Sequence, residues 1–319
     1  MYNHLNRDQR SQIYALMSNG STQKNIAAHL GVHPSTISRE LKRNTGGRGY
    51  RFQQADNLAS ARRHAASSTP KSMTPQVIKI IEEKLQQKWS PEQISGRLKL
   101  ELGLSISYES IYKHIWADKK AGGTLYMHLR HAGKKYNKRS SGKAGRGCIP
   151  NRVDITERPA IVETKSRLGD WEGDTIIGAN HKGAILSIVD RGSKFTLLAK
   201  LADKCADGVV VATEACFDRL ANPIVHTITY DNGKEFAGHE QTSASLDAQC
   251  YFATPYHSWE RGLNEHTNGL VRQYLPKGTE FTTVSAKSIQ RIEDALNDRP
   301  RKILSYLTPR EVYQAVAQA

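Results

Sequence analysis

Three neighbouring runs, LGDWEGDTIIG at residues 168–178, GAILSIVD at 183–190 and KFTLLAKL at 194–201, decide the class of the carboxy-terminal half. Each is rich in β-branched and aliphatic residues and too short for a typical helix. Gly-containing turns separate them, so three strands joined by short connections are expected. Beyond them the pattern changes. Asp207 to Leu220 reads as a helix and Ile224 to Tyr230 as a fourth strand; a short helix and a fifth strand near Gln249 to Ala253 follow. Strands in succession, then strands alternating with helices, imply a mixed α/β domain.

Acidic side chains occur where such a domain tolerates them poorly. Asp174 lies inside the first run, and Asp231 ends the fourth, just before the turn dipeptide Asn232-Gly233. Glu265 heads GLNEHTNGLVR at 262–272, which has helical period. A carboxylate in a half-buried strand loses hydration unless it is paired or bound to a cation. Two strands and a helix converging three acids is how a protein holds two divalent metals for phosphoryl transfer, and hard oxygen ligands suit Mg2+ or Mn2+. Arg272, seven residues after Glu265, lies on nearly the same helix face and is placed to hold a phosphate. Asp170 and Glu172 share Asp174's side of the strand by the period of two, so spacing does not choose among them. Asp190, before Arg191-Gly192, reads as a turn acid. His257, Trp259 and Arg261 precede Glu265 in a turn-rich segment and set a ring and cations there; binding and plain packing or solvated charge are both open for each.

The charge is uneven. Residues 1–150 carry 26 Lys and Arg against 9 Asp and Glu, whereas residues 151–319 carry 20 against 22. The amino-terminal half is therefore the part suited to a polyanion. Within it, residues 7–44 read as three short helices: one from Arg7 to Met17, one capped by Ser21 or Thr22 and ending at Leu30, and one opened by Pro34. Ile26, Leu30, Val32, Ile37 and Leu41 recur at helical spacing, and Gly31 supplies the turn of a helix-turn-helix. Ser35, Thr36, Ser38, Arg39, Lys42 and Arg43 then face outward on the third helix, a mixture suited to a major groove. A helix-prone basic stretch from Phe52 to Ala66 leads to a second helical unit. Its helices start at Thr74-Pro75, at the capping box Ser90-Pro-Glu-Gln93 and at Ser107, with Ile94, Leu98, Ile106, Ile111 and Ile115 inward. Lys113 is the one cation between Tyr108 and Trp116, which leaves a helix-turn-helix and a packed helical linker both open. From Lys119 to Arg146 there are nine Lys or Arg and no Asp or Glu. Apart from a short helix expected between Thr124 and His131, this reads as a solvated linker or as a basic arm laying Lys134, Lys135, Lys138 and Arg139 along DNA phosphates.

Cys148, Cys205, Cys216 and Cys250 form no C-x-x-C pair and show no zinc spacing, as expected of small buried residues in a reducing cytosol. No run of about 18 apolar residues occurs, so a membrane span is not expected.

The stretches TYDNGKEF at 229–236, PYHSWERGLNE at 255–265 and NGLVRQYLPKG at 268–278, with LNDRPR at 296–301 and LTPREVY at 307–313, resemble the transposases of IS30-type insertion sequences. These are bacterial members of the DDE transposase and retroviral integrase superfamily. His266 departs from the Asn expected there. The resemblance implies an all-α helix-turn-helix region followed by an α/β ribonuclease-H-like catalytic domain. The expected organisation is a DNA-binding domain over 1–66, a second helical DNA-binding domain over 67–118, a basic Gly-rich linker over 119–153 and the catalytic domain over 154–319. The family's Gly-Asp-Thr pattern selects Asp174. Asp174, Asp231 and Glu265 are then the metal ligands, with Mg2+ or Mn2+, two ions per site, as cofactor. The resemblance further implies cleavage and joining of DNA at terminal inverted repeats, capture of a target DNA, action as at least a dimer, and a cytoplasmic, nucleoid-associated location. A transcription regulator would explain residues 1–150 but leave the three acids without a role. An exonuclease would use a further late Asp with a Tyr or His shortly before it, which neither Asp294 nor Asp298 has.

Overall fold

The computed structural model describes residues 4–68, 73–131, 149–255, 257, 260 and 262–318. Trp259, Arg261, Lys134, Lys135, Lys138, Arg139 and Cys148 lie outside the described residues. Contacts divide the chain into two compact units, 1–77 and 78–319.

The first unit consists of α1 (Arg7–Ser18), α2 (Gln23–His29), α3 (Pro34–Asn44) and α4 (Phe52–Ser68). Asn6 and Gln9 form a capping box on α1, Thr22 caps α2, and Gly31 takes a φ of +63° in the turn before α3, a conformation that strains a residue bearing a Cβ. Ile13, Ile26, Ala27, Ile37 and Ala55 close the core, with Leu30, Val32 and Leu41 packed at its edge. The core also holds a polar hub. Arg10 donates to Glu40 at 2.8 Å and to Asp56 at 2.9 Å, and Tyr50 donates to Glu40 at 3.2 Å. Burial, then Glu40, pushes the Tyr50 hydroxyl above its ordinary pKa. Removing one member would leave buried charge uncompensated, so this hub fixes α1, α3 and α4 relative to one another.

The second unit is built on a five-stranded sheet of order β3-β2-β1-β4-β5. The strands are β1 (Asp170–Ile177), β2 (Ala184–Asp190), β3 (Thr196–Leu201), β4 (Thr227–Tyr230) and β5 (Gln249–Phe252). β1, β2 and β3 run antiparallel in sequence, whereas β4 lies parallel to β1 on its other side and β5 parallel to β4. This is the ribonuclease-H-like arrangement. Both faces are covered. Trp171, Leu186, Ile188, Ile228, Tyr230 and Phe252 pack with Phe217 of α9 (Ala206–Asp218) and Tyr313 of α13 (Pro309–Ala317). On the other face, Ile176, Ile185 and Leu198 pack with Leu270 and Val271 of α11 (Gly262–Tyr274) and with Ile289 and Leu296 of α12 (Ala286–Asn297). The remaining short helices are α8 (Ile161–Thr164) and α10 (His239–Leu246). By strand alternation Glu172 and Asp174 share Ile176's side of β1, beneath α11. Gly173 points the opposite way, where a Cβ would come within 2.4 Å of the Tyr230 ring. The glycine before Asp174 is thus a packing requirement. Cys216 and Cys250 are buried, and burial pushes both thiols up to about 11.

Helices α5 (Pro75–Gln86), α6 (Pro91–Leu102) and α7 (Tyr108–Lys120) bury Ile81, Leu85, Ile94, Leu98, Ile111 and Ile115. The Ser90–Gln93 capping box opens α6. This segment packs against the carboxy-terminal end of the same unit. Arg97 donates to both oxygens of Glu311 at 2.5 and 2.8 Å and to the Tyr306 carbonyl at 3.2 Å; Arg299 donates to Gln93 at 2.8 Å; Lys302 pairs with Glu92 at 2.6 Å. Gly96 is required here too, since a Cβ would come within 2.3 Å of the Tyr306 ring. A short 3-10 turn, Leu125–His128, follows where a helix over 124–131 is expected. Among the described residues no helix is long and apolar enough to cross a membrane.

Candidate active site and DNA-facing surface

The parallel register of β1 and β4 positions the first two acids. Asp170 pairs with Thr227, Trp171 with Ile228 and Glu172 with Thr229, where the ladder ends; the same offset carried on by two residues would bring Asp231 opposite Asp174. Neighbouring strands lie about 4.8 Å apart, so two carboxylates at this register face one crevice. Asp174 is half-buried and accepts from its neighbour's Thr175 backbone amide at 2.8 Å. Asp231 is half-buried in the turn after β4 and accepts from the Gly233 amide at 2.9 Å.

Helix α11 carries Glu265. Asn268 Nδ2 donates to Asp174 Oδ2 at 2.8 Å, and Ser187 Oγ donates to Asn268 Oδ1 at 2.9 Å and to the Asp174 carbonyl at 3.3 Å. These bonds dock the helix on β1 and β2 one turn away from Glu265, which is exposed in the first turn of α11. Among the described residues no three Asp, Glu, His or Cys side chains are drawn together closely enough to hold a metal ion. In kind, however, carboxylate oxygens on two adjacent strands and a docked helix fit a hard divalent cation.

The alternatives on β1 are engaged elsewhere. Asp170 is buried against Arg167 at 2.7 Å and Thr227 at 2.8 Å, and Glu172 is buried against Arg191 at 2.6 Å and accepts from the Asn264 amide at 3.3 Å. Asp190 is fully buried and accepts from the amides of Gly169 and Ser193 and the Ser193 hydroxyl; burial raises its pKa against those bonds.

Two groups beside the crevice escape a reading by spacing. Glu235 accepts from the Thr175 hydroxyl at 2.9 Å and pairs with Lys204 at 2.5 Å. A Cβ on Gly233 would touch both Glu235 and Asp231, so the turn carries both acids side by side. Burial opposes ionisation of Glu235, but Lys204 and Thr175 outweigh it and its pKa is lowered. Asn268 is the other. Both lie within the motif stretches around Asp231 and Glu265, but their partners are 60 and 94 residues away, which no local period reveals.

Arg272 is turned toward the end of β1. Its Nη2 donates to the Ile177 carbonyl at 2.6 Å, its guanidinium lies 5.2 Å from the Phe281 ring, and its buried Nη1 has no hydrogen-bond partner among the described residues. Burial lowers its pKa. His257 is within 3.2 Å of Glu260, which also accepts from the Thr254 amide at 2.8 Å.

In the first unit Ser35, Ser38, Arg39, Lys42 and Arg43 are exposed on α3, and Thr36 is half-buried. Arg39 folds back onto Ser35, donating to its carbonyl and hydroxyl at 3.0 Å each. Helix α4 extends this face: Arg62 donates to the Arg43 carbonyl at 3.2 Å and to Asn44. Lys113 is exposed on α7 beside Tyr112 and Trp116.

A family model described as a helix-turn-helix domain matches residues 1–44. The chain is 48% identical, over 99% of its length and 97% of the relative's, to the transposase for insertion sequence element IS4351 of Bacteroides fragilis. It is 35% identical to the transposase InsI for insertion sequence element IS30A of Escherichia coli strain K12, over 98% of this chain and 83% of that one. A crystal structure of the catalytic core domain of BIV integrase aligns with 47% of the chain and 95% of its own, at a TM-score of 0.37 and 18% identity. Helix-turn-helix, strand-borne acids and full-length relatedness agree: the chain belongs to the IS30 family of insertion-sequence transposases.

Proposed function

We propose that Asp174, Asp231 and Glu265 are the acid triad of this DDE transposase, cutting and joining DNA at the terminal inverted repeats of its element. The observation that supports this is the β1–β4 register, whose offset, continued two residues past Glu172 and Thr229, runs from Asp174 to Asp231. When bound, divalent cations, Mg2+ with Mn2+ able to replace it and two per site, supply the Lewis acidity for phosphodiester hydrolysis and transesterification. Asp174 and Asp231 would hold them, with Glu265 of α11 completing the set. Asn268 orients Asp174, while the Lys204–Glu235–Thr175 chain braces the turn that carries Asp231. The unsatisfied Nη1 of Arg272 supports a phosphate contact, because a buried donor left unpaired costs about 1–3 kcal/mol that an anion would relieve. With water as nucleophile the reaction is cleavage; with a freed DNA 3′-hydroxyl it is strand transfer. The first unit binds the element ends through α3, with Lys113 and the basic segment around Lys134, Lys135, Lys138 and Arg139 tracking phosphates, and Trp259 and Arg261 gripping the end. Paired ends require at least a dimer, working on DNA in the cytoplasm.

The test is cleavage and joining of labelled element ends with and without divalent metal. Asp174→Asn, Asp231→Asn and Glu265→Gln are each expected to abolish both reactions and leave end binding nearly intact. Normal strand transfer by any one of them removes that residue from the triad, and activity in Asp174→Asn with none in Glu172→Gln moves the first ligand to Glu172.

A further inference from the structure

The flank of α11 that turns away from Asp174 carries cations without counter-charges. Arg299 is 3% exposed, and its guanidinium donates to two neutral amide oxygens, Gln93 Oε1 at 2.8 Å and Gln273 Oε1 at 2.9 Å. Arg301 donates to the Leu296 carbonyl at 3.0 Å. Arg130 is exposed and lies against α11 at Gly269, where a Cβ would come within 2.8 Å of its Nη2. Among the described residues none of the three arginines pairs with a carboxylate. Beside Arg301 a cavity of about 620 Å³ is also lined by Glu163, Glu172 and Glu260. Those acids are committed elsewhere, Glu163 to Arg158 and Arg191, Glu172 to Arg191, and Glu260 to Thr254 and His257. Buried charges are ordinarily paired, and Arg299 and Arg301, held on neutral acceptors with Arg130 nearby, are costly in the free protein. Burial and then Arg299 hold the Arg301 guanidinium down to about 9, with Arg130 acting in the same direction.

We infer that Arg130, Arg299 and Arg301 form a phosphate subsite on this flank that takes a backbone phosphodiester of DNA next to the strand being cut. The bidentate fork of arginine suits a phosphate oxygen pair. On α11 residues 265, 268 and 272 face β1 whereas 266, 269 and 273 face the arginines, so a strand at Glu265 passes both. The inference rests on the reading of the triad above. The phosphodiester belongs either to the element end or to the target DNA.

The full-length chain is tested with an end duplex and, separately, a target plasmid. Arg130→Gln, whose side chain is exposed, is the primary variant; Arg301→Gln with Arg301→Lys as rescue is the second, each checked for an unchanged melting temperature. End binding is measured in EDTA, so that it reads the subsite whether or not the triad is assigned correctly; Asp231→Asn, run beside it, tests the triad alone. A roughly tenfold loss of end affinity, with a log–log salt slope shallower by about 0.9 per lost phosphate contact, assigns the subsite to the element end. Unchanged end binding and cleavage with reduced joining into the plasmid assigns it to the target. Unchanged end binding, cleavage and joining in folded Arg130→Gln and Arg301→Gln overturns the inference, as does a loss in Arg301→Gln that Arg301→Lys does not partly restore.

Discussion

At the scale of single residues, Arg272 separates two physical roles. Its Nη2 is satisfied by the Ile177 carbonyl and its plane rests near Phe281, yet Nη1 is buried with no acceptor among the described residues. If the side chain served only to tie α11 to the end of β1, Arg272→Ala would lower the melting temperature and leave the chemistry of the folded fraction alone. If Nη1 is kept for a phosphate, the same change lowers end binding and cleavage together, and Arg272→Lys restores part of the loss because it keeps charge without the planar fork. The expected result is the second, with a fall in cleavage on the order of 10- to 100-fold, corresponding to about 1.4–2.8 kcal/mol. Unchanged cleavage per folded molecule removes Arg272 from the site. The position of Arg272 relative to Glu265 follows from helical period alone. Its bond to Ile177 spans 95 residues and depends on how α11 lies across the sheet.

At the scale of elements, what local sequence encodes is what is legible. The Ser90–Gln93 capping box, the Thr22 cap, Gly31 and the apolar runs of β1, β2 and β3 each state their own structure, because the physics involved acts over a few residues. Helices α12 and α13 also carry start signals: Ser285 accepts from the Ser288 amide, and Thr308 with Glu311 closes a capping box. The acids on β1 are different. Period two puts Asp170, Glu172 and Asp174 on one face, but only tertiary partners distinguish them: Arg167 takes the first, Arg191 the second and Asn268 the third. Likewise α5 to α7 leave a second DNA-binding module and a packed helical linker both open in sequence, and the fold ties α6 to the carboxy-terminal end through Arg97 and Glu311. Hydrogen bonding to Arg97 holds Glu311 at about 2, below its ordinary 4.5. A folded-state pKa that is depressed contributes stability fully present above the unfolded value and lost as pH falls from about 4.5 toward about 2. Amide protection in α6 and α13, taken relative to the intrinsic exchange rate at each pH, is therefore expected to fall through that window. In Glu311→Gln the step should be absent, and its persistence there would assign it to another carboxylate.

At the scale of the whole molecule, charge and compactness divide the chain at different places. The strongly basic region extends to residue 150, but the contact boundary falls between residues 77 and 78: α6 is tied to Tyr306, Glu311 and Arg299 of the catalytic half. Residues 1–77 keep 11 Lys and Arg against 3 Asp and Glu, together with the complete core around Ile13, Ile26 and Ile37 and the Arg10–Glu40–Asp56 hub. A fragment of residues 1–77 is accordingly expected to fold by itself, unfold in one cooperative step and bind DNA with an affinity that falls steeply with salt. A fragment of residues 1–150 gains charge but exposes the surface of α6 that Tyr306 and Glu311 cover, so it should bind DNA more tightly while self-associating or melting in two steps. Within the short fragment, Arg39→Ala is expected to cost about 1–3 kcal/mol on the element end and less on unrelated DNA, as a base-edge contact would; equal losses on both would make Arg39 a phosphate contact. Calorimetry and sedimentation on the two fragments decide the rest. A cooperative, monomeric 1–150 beside an unfolded 1–77 would show that the basic half folds as one body and that its packing on the catalytic helices adds nothing to its stability.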